Sequence, residues 1–164
     1  MFESIAFQNM EFFLQLTLAT VLGAMIGVER ELARKTAGMR TFALVSLGSA
    51  LFSIISHSAM SMTGVGNAIN YDPTRIAAQI ISGVGFIGAG LIIFNQSKVQ
   101  GITTAAGLWL SAAIGMAVGF KFYMVAVFTS FLALLIFVLF WEFEEKLIKK
   151  YYIRSRNDPP EEPF

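Results

Sequence analysis

Residues 72–90 read Asp-Pro-Thr-Arg-Ile-Ala-Ala-Gln-Ile-Ile-Ser-Gly-Val-Gly-Phe-Ile-Gly-Ala-Gly. Asp72 before Pro73 is typical of a helix start, with Asp as the N-cap and Pro at the first helical position. Residues 76–97 carry no charged side chain, and such a segment is long enough to cross a bilayer. Glycines that allow close helix contact follow at Gly83, Gly85, Gly88 and Gly90. We therefore predict a central helix that other helices surround.

Polar side chains mark one face at the start of this helix. Arg75, Gln79 and Ser82 are separated by four and three residues, so they share a helical face. An ionisable group at membrane depth usually faces a bundle interior or a cavity. We predict a polar site here that includes Asp72, although an ordinary helix cap also accounts for Asp72.

Composition places the chain among membrane proteins and excludes several kinds of site. It is 55% hydrophobic, contains 16 Phe and has a mean hydropathy of +0.65. There is no Cys and only one His, which excludes thiolate sites and multi-histidine metal sites within one chain. Lys and Arg lie in loops and the tail without a basic face, so nucleic acid is not an expected partner. We expect no metal, no cofactor and no enzymatic activity, because no nucleophile–base pair or phosphate loop is evident.

Hydropathy predicts an all-α membrane protein with five spans. The spans cover about residues 11–28, 41–60, 75–95, 101–120 and 122–141. Residues 142–164 are predicted to form a basic cytoplasmic tail with a disordered end. The fifth span is rich in Phe and contains no Gly, so it should face lipid or another copy of the chain. We expect the lipid bilayer, other membrane proteins and a homo-oligomer as partners.

Small and hydroxyl side chains repeat at helical spacing in three other spans. Close packing of helix backbones is expected wherever such a face occurs. The repeats are Gly23 and Gly27 in the first span, Ser46, Ser49, Ser53 and Ser56 in the second, and Gly107, Ser111, Gly115 and Gly119 in the fourth.

Positive charge predicts the orientation in the membrane. With the N-terminus outside, ten Lys and Arg side chains lie in the cytoplasm, and only Arg75 and Lys121 lie outside. Cytoplasmic loops of membrane proteins carry an excess of positive charge, so we predict N-terminus out and C-terminus in. The first two spans also resemble the third and fourth, because Ile26-Gly27 matches Ile87-Gly88. A parallel internal repeat would explain this match.

Two interpretations stay open for the charged residues that follow the first span. Glu29 could pair with Arg40 or Arg30 and line a polar cavity, or these residues could form a solvated helix end with snorkelling side chains. Glu29 comes two residues after Gly27, which favours an inward-facing position for Glu29. Arg30 is the weaker candidate of the two arginines.

Four stretches together resemble the N-terminal membrane domain of the MgtC/SapB family of bacterial inner-membrane proteins. They are Gly-Ala-Met-Ile-Gly-Val-Glu-Arg-Glu (23–31), Lys-Thr-Ala-Gly-Met-Arg-Thr (35–41), the segment 72–90 quoted above, and Val-Gln-Gly-Ile-Thr-Thr-Ala-Ala-Gly-Leu-Trp (99–109). The resemblance implies a multi-pass protein linked to growth in low magnesium, to acid tolerance and, in pathogens, to survival inside host cells. Some family members carry a soluble C-terminal domain, for which residues 142–164 are too few, so we expect the short form.

Two functions follow as hypotheses. The first is a regulator that binds membrane machinery, such as the ATP synthase that the resemblance implies, through its small-residue helix faces. The second is a transporter or channel for a small ion or solute that uses polar groups at both ends of the bundle. No acidic cluster within the spans suits a dehydrated divalent cation, which weakens magnesium transport specifically.

Overall fold

The structure is a computed structural model that describes residues 2–62, 72, 74–95 and 98–157. The described residues form five helices and one short antiparallel hairpin, in which Phe94 pairs with Val99. In chain order the elements are α1 (Phe2–Leu32), α2 (Met39–Met62), α3 (Thr74–Leu91), β1 (Ile93–Asn95), β2 (Lys98–Gln100), α4 (Ile102–Gly119) and α5 (Tyr123–Asn157). The tail end predicted to be disordered is residues 157–164; Asn157 is the last residue of α5, and residues 158–164 lie outside the described residues.

Four of the described helices are long and apolar enough to cross a membrane. Their apolar segments are Asn9–Leu32, Met39–Ala59, Ile102–Gly119 and Tyr123–Phe140. The all-helical membrane fold is thereby confirmed at this level, whereas the orientation of the termini and the internal repeat stay predictions.

The third predicted span is shorter than expected. Its apolar helix covers Arg75–Leu91, and the hairpin occupies the residues that the prediction gave to the end of the span. Gly101 closes this connection with a φ of 89°, a conformation that favours glycine. A Cβ at Gly101 would collide with the carbonyl oxygen of Leu91, so the return of the chain requires a glycine there.

The central helix is α4, and the prediction that residues 72–90 form the surrounded helix is wrong. More than half of the α4 span is buried, and α4 packs on each of the other four helices. In contrast, α3 packs mainly on α4, and Phe86 of α3 is 84% exposed. The small residues of α4, which we call the α4 ridge, repeat every four residues on one face: Gly107, Ser111, Gly115 and Gly119. The glycines of α3 are instead distributed around several faces of that helix. A neighbouring helix can pack closely along its whole length only where the small residues form one continuous face, as they do on α4.

Ser46 of α2 lies between the small-residue faces of α1 and α4. A Cβ on Gly23 would lie 2.6 Å from the Ser46 Cβ, and a Cβ on Gly115 would collide with the Ser46 carbonyl oxygen. The Ser46 hydroxyl donates to the Ala19 carbonyl at 2.7 Å, so α1 and α2 are also joined by a buried hydrogen bond. A second such bond runs from the Ser111 hydroxyl of α4 to an α2 carbonyl at 2.9 Å. These contacts fix α1, α2 and α4 as the core.

The other predicted packing glycines divide into three groups. At Gly27, Gly107 and Gly119 an added Cβ would lie within 2.7 Å of a neighbouring helix or of the residues that begin α2. Gly88 makes ordinary contact with Ala105, at 3.6 Å between the added Cβ and the Ala105 Cβ. Open space surrounds the remaining three, since no described residue lies within 4 Å of an added Cβ at Gly83, Gly85 or Gly90. The surface of α3 therefore offers room that the described part of the chain does not fill.

Candidate functional site

An ion pair joins the half-buried Glu29 to the buried Arg30 in the last turn of α1. The Glu29 carboxylate accepts from Nε and Nη2 of Arg30, in the two-pronged geometry that suits a guanidinium. Only 4% of the Arg30 side chain and 18% of the Glu29 side chain are exposed. Removing one member of a buried pair leaves an uncompensated charge, so the two residues must act as a unit.

Phe137 of α5 covers this ion pair. The guanidinium carbon of Arg30 lies 3.8 Å from the centroid of the Phe137 ring, which is a cation–π contact. A Cβ on Gly107 would lie 2.7 Å from the ring, so the glycine leaves the space that the ring occupies. Three helices therefore meet at Arg30, and we call this side of the bundle the Arg30 end.

A cavity of about 200 Å³ opens next to the ion pair. Its polar lining residues are Arg30, Lys35 from the α1–α2 connection and Thr103 from the first turn of α4. The remaining wall is apolar and consists of Ala33 together with Ile136, Phe137 and Phe140 of α5. The cavity therefore combines positive charge with an apolar surface.

A second polar cluster lies where α4 ends and α5 begins, which we call the Lys121 end. Lys121 Nζ lies 2.8 Å from Oε1 of Glu11, and the Tyr123 hydroxyl donates to the same oxygen at 3.5 Å. Gln15 Nε2 donates to the Tyr123 oxygen at 3.0 Å and to the Val118 carbonyl at 3.3 Å. The cluster ties the start of the α1 span to the α4–α5 connection.

Gln15 is almost fully buried, with 2% of the residue exposed. Its amide oxygen has no hydrogen-bond partner among the described residues. Gln15 shares one face of α1 with Arg30, and Ala19 and Ile26 on that face are fully buried between them. The two polar clusters are therefore separated by closely packed apolar side chains.

A groove of about 580 Å³ runs between α2 and α3. Gly48 of α2 and Gly83 of α3 both line it, and an added Cβ on either glycine would lie more than 4 Å from its neighbours in the described part of the chain. The lining is mostly apolar, with Ser49 and Gln79 as its polar members. Because α2 and α3 touch each other little, the groove is an open surface of the bundle.

The predicted site residues occupy different places in the bundle. Glu29 pairs with Arg30, whereas Arg40 is exposed at the start of α2. At the opposite end Asp72 and Arg75 are exposed, and the Arg75 N–H donates to the Asp72 carbonyl at 3.2 Å as α3 begins. The structure does not bring the two ends together, and the functional role of these residues stays a prediction.

The residues of the predicted polar face of α3 do not all lie in the same environment. Gln79 lines the α2–α3 groove, but Ser82 is exposed and does not line it. The α3 residues that line the groove are Gln79 together with the apolar or small residues Ile76, Ile80, Gly83, Val84 and Ile87.

The sequence analysis did not predict Gln15 or Phe137 as site residues, and it ranked Arg30 below Arg40 as a partner of Glu29. A signal for Gln15 and Arg30 was available, since Gln15, Ala19, Ile26 and Arg30 are spaced by four, seven and four residues along one face of α1. No comparable local signal marked Phe137, because its role depends on a helix more than a hundred residues along the chain.

Sequence comparison with known proteins covers most of the bundle. The sequence model of the MgtC family matches residues 16–146. The chain belongs to the MgtC family. The polar and apolar walls of the Arg30 cavity and the whole α2–α3 groove fall within the residues that match. No solved structure matches this MgtC-family chain.

Curated relatives of this MgtC-family chain come from several bacteria. The putative magnesium transporter YhiD of Escherichia coli K12 is 41% identical over 142 residues, which are 87% of this chain and 66% of that protein. Protein SapB of Bacillus subtilis is 44% identical over 77% of this chain and 55% of its own length. Protein MgtC of Salmonella typhimurium is 48% identical over 66% of this chain and 43% of its own length. The chain thus spans two thirds or less of each relative's length.

Proposed function

We propose that this chain is a regulatory protein of the bacterial inner membrane that binds a transmembrane helix of another membrane protein in the α2–α3 groove. The observation that carries the proposal is the groove itself, which is open along its side and lined by small residues on both helices. Membrane helices associate where small residues let backbones approach closely, because lipid supplies no hydrophobic driving force.

The groove offers the features that a partner helix needs. Gly48 and Gly83 provide the close approach, while Leu44, Phe52 and Ile87 supply apolar packing surface around them. Gln79 adds one hydrogen-bonding group, which is worth about 0.6–2 kcal/mol between membrane helices. A partner helix with a polar side chain opposite Gln79 would bind in one register.

Family membership supports the physiological setting of this proposal. The relatives include a protein named as a putative magnesium transporter and Protein MgtC of Salmonella. We propose that the chain acts in adaptation to low magnesium or acid stress by binding membrane machinery, without enzymatic activity of its own.

Complementation of a deletion strain tests the groove. Gly83→Leu would fill the groove and should abolish growth in low magnesium or acid at normal protein abundance. Gly85→Leu is the matched control, because Gly85 lies on the same helix in open space but does not line the groove. Full growth with Gly83→Leu would contradict the proposal. If Gly83→Leu abolishes growth, photo-crosslinking from Phe52 shows whether the groove binds another protein or a second copy of this chain.

Transport of a small ion or solute is the second candidate. Polar clusters at both ends of the α1 span, around Gln15 and around Arg30, favour it. The closely packed residues between them, Ala19 and Ile26, argue against an open path in this conformation. A flux assay on purified protein in liposomes separates the candidates, because a regulator that acts only by binding would give no flux.

A further inference from the structure

We propose that the cavity at the Arg30 end binds the phosphate group of an anionic phospholipid. The cavity lies among α1, α4 and α5 and is separate from the groove between α2 and α3. The inference therefore does not depend on the proposed regulatory function.

The Arg30 guanidinium supplies hydrogen-bond donors to this cavity. Arginine has five N–H donors in a planar fork, and the ion pair with Glu29 uses two of them. Arg30 lines the cavity although only 3% of the residue is exposed, and three of its donors are not used by Glu29. Arg30 cannot swing away to solvent, because Phe137 covers one face of its guanidinium. Its donors are therefore held in place before a ligand arrives.

Lys35 and Thr103 complete the polar wall. Glu29 balances the charge of Arg30, so Lys35 leaves the cavity with one net positive charge. A phosphodiester carries one negative charge and accepts several hydrogen bonds, which matches this wall. Thr103 adds a hydroxyl in the first turn of α4, the positive end of the helix dipole.

The apolar wall indicates a lipid rather than a free anion. Ile136 and Phe140 line the cavity and are 49% and 66% exposed, so their outer surfaces continue the lipid-facing side of α5. Both lie in the last turns of the apolar segment Tyr123–Phe140, the depth at which headgroups meet acyl chains. Basic pockets between membrane helices bind anionic headgroups in this way.

Native mass spectrometry of the purified full chain tests the assignment. In a neutral detergent, one molecule of phosphatidylglycerol should bind at least fivefold more tightly than phosphatidylcholine with the same acyl chains. Lys35→Gln should weaken phosphatidylglycerol binding about fivefold, the effect of about 1 kcal/mol per basic side chain near an anionic lipid. Ala33→Trp should remove binding by filling the cavity without a change of charge.

Arg40→Gln is the matched control for charge. Arg40 lies at the same end of the bundle and is exposed, but it does not line the cavity. Equal losses in Lys35→Gln and Arg40→Gln would indicate diffuse attraction to the surface and overturn the site. Unchanged binding in Lys35→Gln would also overturn it. Displacement of the lipid by millimolar inorganic phosphate would assign the cavity to a free anion and overturn the lipid assignment.

Discussion

The guanidinium carbon of Arg30 lies 3.8 Å from the centroid of the Phe137 ring, so the end of α1 is covered by α5. Phe137 is itself 8% exposed, and the space for its ring exists because residue 107 is a glycine. The contact therefore couples an ion pair on α1, a glycine on α4 and an aromatic residue on α5. Loss of any of the three should loosen the Arg30 end.

Phe137→Leu should destabilise the folded protein by about 2 kcal/mol, because it removes a buried cation–π contact while keeping an apolar side chain. Phe131→Leu is the control, since Phe131 lies on the same helix and is 59% exposed. The control should change stability by less than about 0.5 kcal/mol. Unfolding in detergent, followed by circular dichroism, measures both. Equal effects would mean that the ring packs without a specific contribution from Arg30.

Glu29→Gln should destabilise the protein by about 3–5 kcal/mol, the usual result when a buried charge loses its partner. Glu31→Gln is the control. The Glu31 carboxylate accepts from the exposed Met39 N–H at 3.0 Å, and an amide oxygen can still accept this bond. The double variant Glu29→Gln with Arg30→Gln should lose less than the sum of its single variants, because neither charge is then left alone. Additive losses would argue against a coupled pair.

Gly115→Ala and Gly83→Ala should change stability in opposite directions. The added Cβ at position 115 would collide with the Ser46 carbonyl, so a loss of several kcal/mol is expected. At position 83 no residue that the structure describes lies within 4 Å of the added Cβ, and replacing a helical glycine by alanine should stabilise the helix by about 0.5–1 kcal/mol. Thermal unfolding in detergent measures both variants. Similar losses at the two positions would mean that α3 is packed as closely as α4.

Orientation is tested by single cysteines in a chain that has none of its own. The two substitutions are Ser61→Cys and Lys98→Cys. Position 61 lies in the last turn of α2, and position 98 lies on the hairpin at the opposite end of the bundle. The charge distribution predicts that an impermeant thiol reagent on intact cells labels position 61 and not position 98. Labelling of position 98 alone would reverse the predicted orientation.

Sequence periodicity predicted which face of a helix packs closely where that face can be identified from the residues of the helix alone. The α4 ridge could be identified because its small residues repeat on a single face, and a partner helix must lie along that face. The position of α3 could not be identified in the same way. Its glycines at positions 83, 85 and 90 remove side chains in several directions, and local pattern does not specify which direction receives a neighbour.

The polar site was predictable only in part for a related reason. Glu29, Arg30 and Glu31 are successive residues, and successive side chains on a helix point about 100° apart. Which of them is buried depends on where α5 crosses α1, and Phe137 makes that contact from a distant part of the chain. The position of Gly27 predicted an inward-facing Glu29, whose side chain is 18% exposed, but no local feature distinguished Arg30 from Arg40 as its partner.

Gln15→Leu and Gln15→Glu should have very different effects on stability. Gln15 donates two hydrogen bonds, but its buried amide oxygen has no partner among the described residues. Leucine gives up the two bonds, each worth about 0.5–1.5 kcal/mol, and also removes an unsatisfied oxygen that costs about 1–3 kcal/mol. These terms offset each other, so Gln15→Leu should stay within about 1 kcal/mol of the parent.

Glutamate at position 15 keeps the size of the side chain but places a carboxylate where only 2% of the residue is exposed. Burial of a charge without a cation is costly, and Lys121 is already paired with Glu11 at 2.8 Å. Gln15→Glu should therefore be much less stable than Gln15→Leu at neutral pH, and it should regain stability as the pH falls and the new carboxylate is protonated. Unfolding of both variants in detergent across pH measures this difference. Equal stability at every pH would mean that water reaches Gln15 and that the Lys121 end is open.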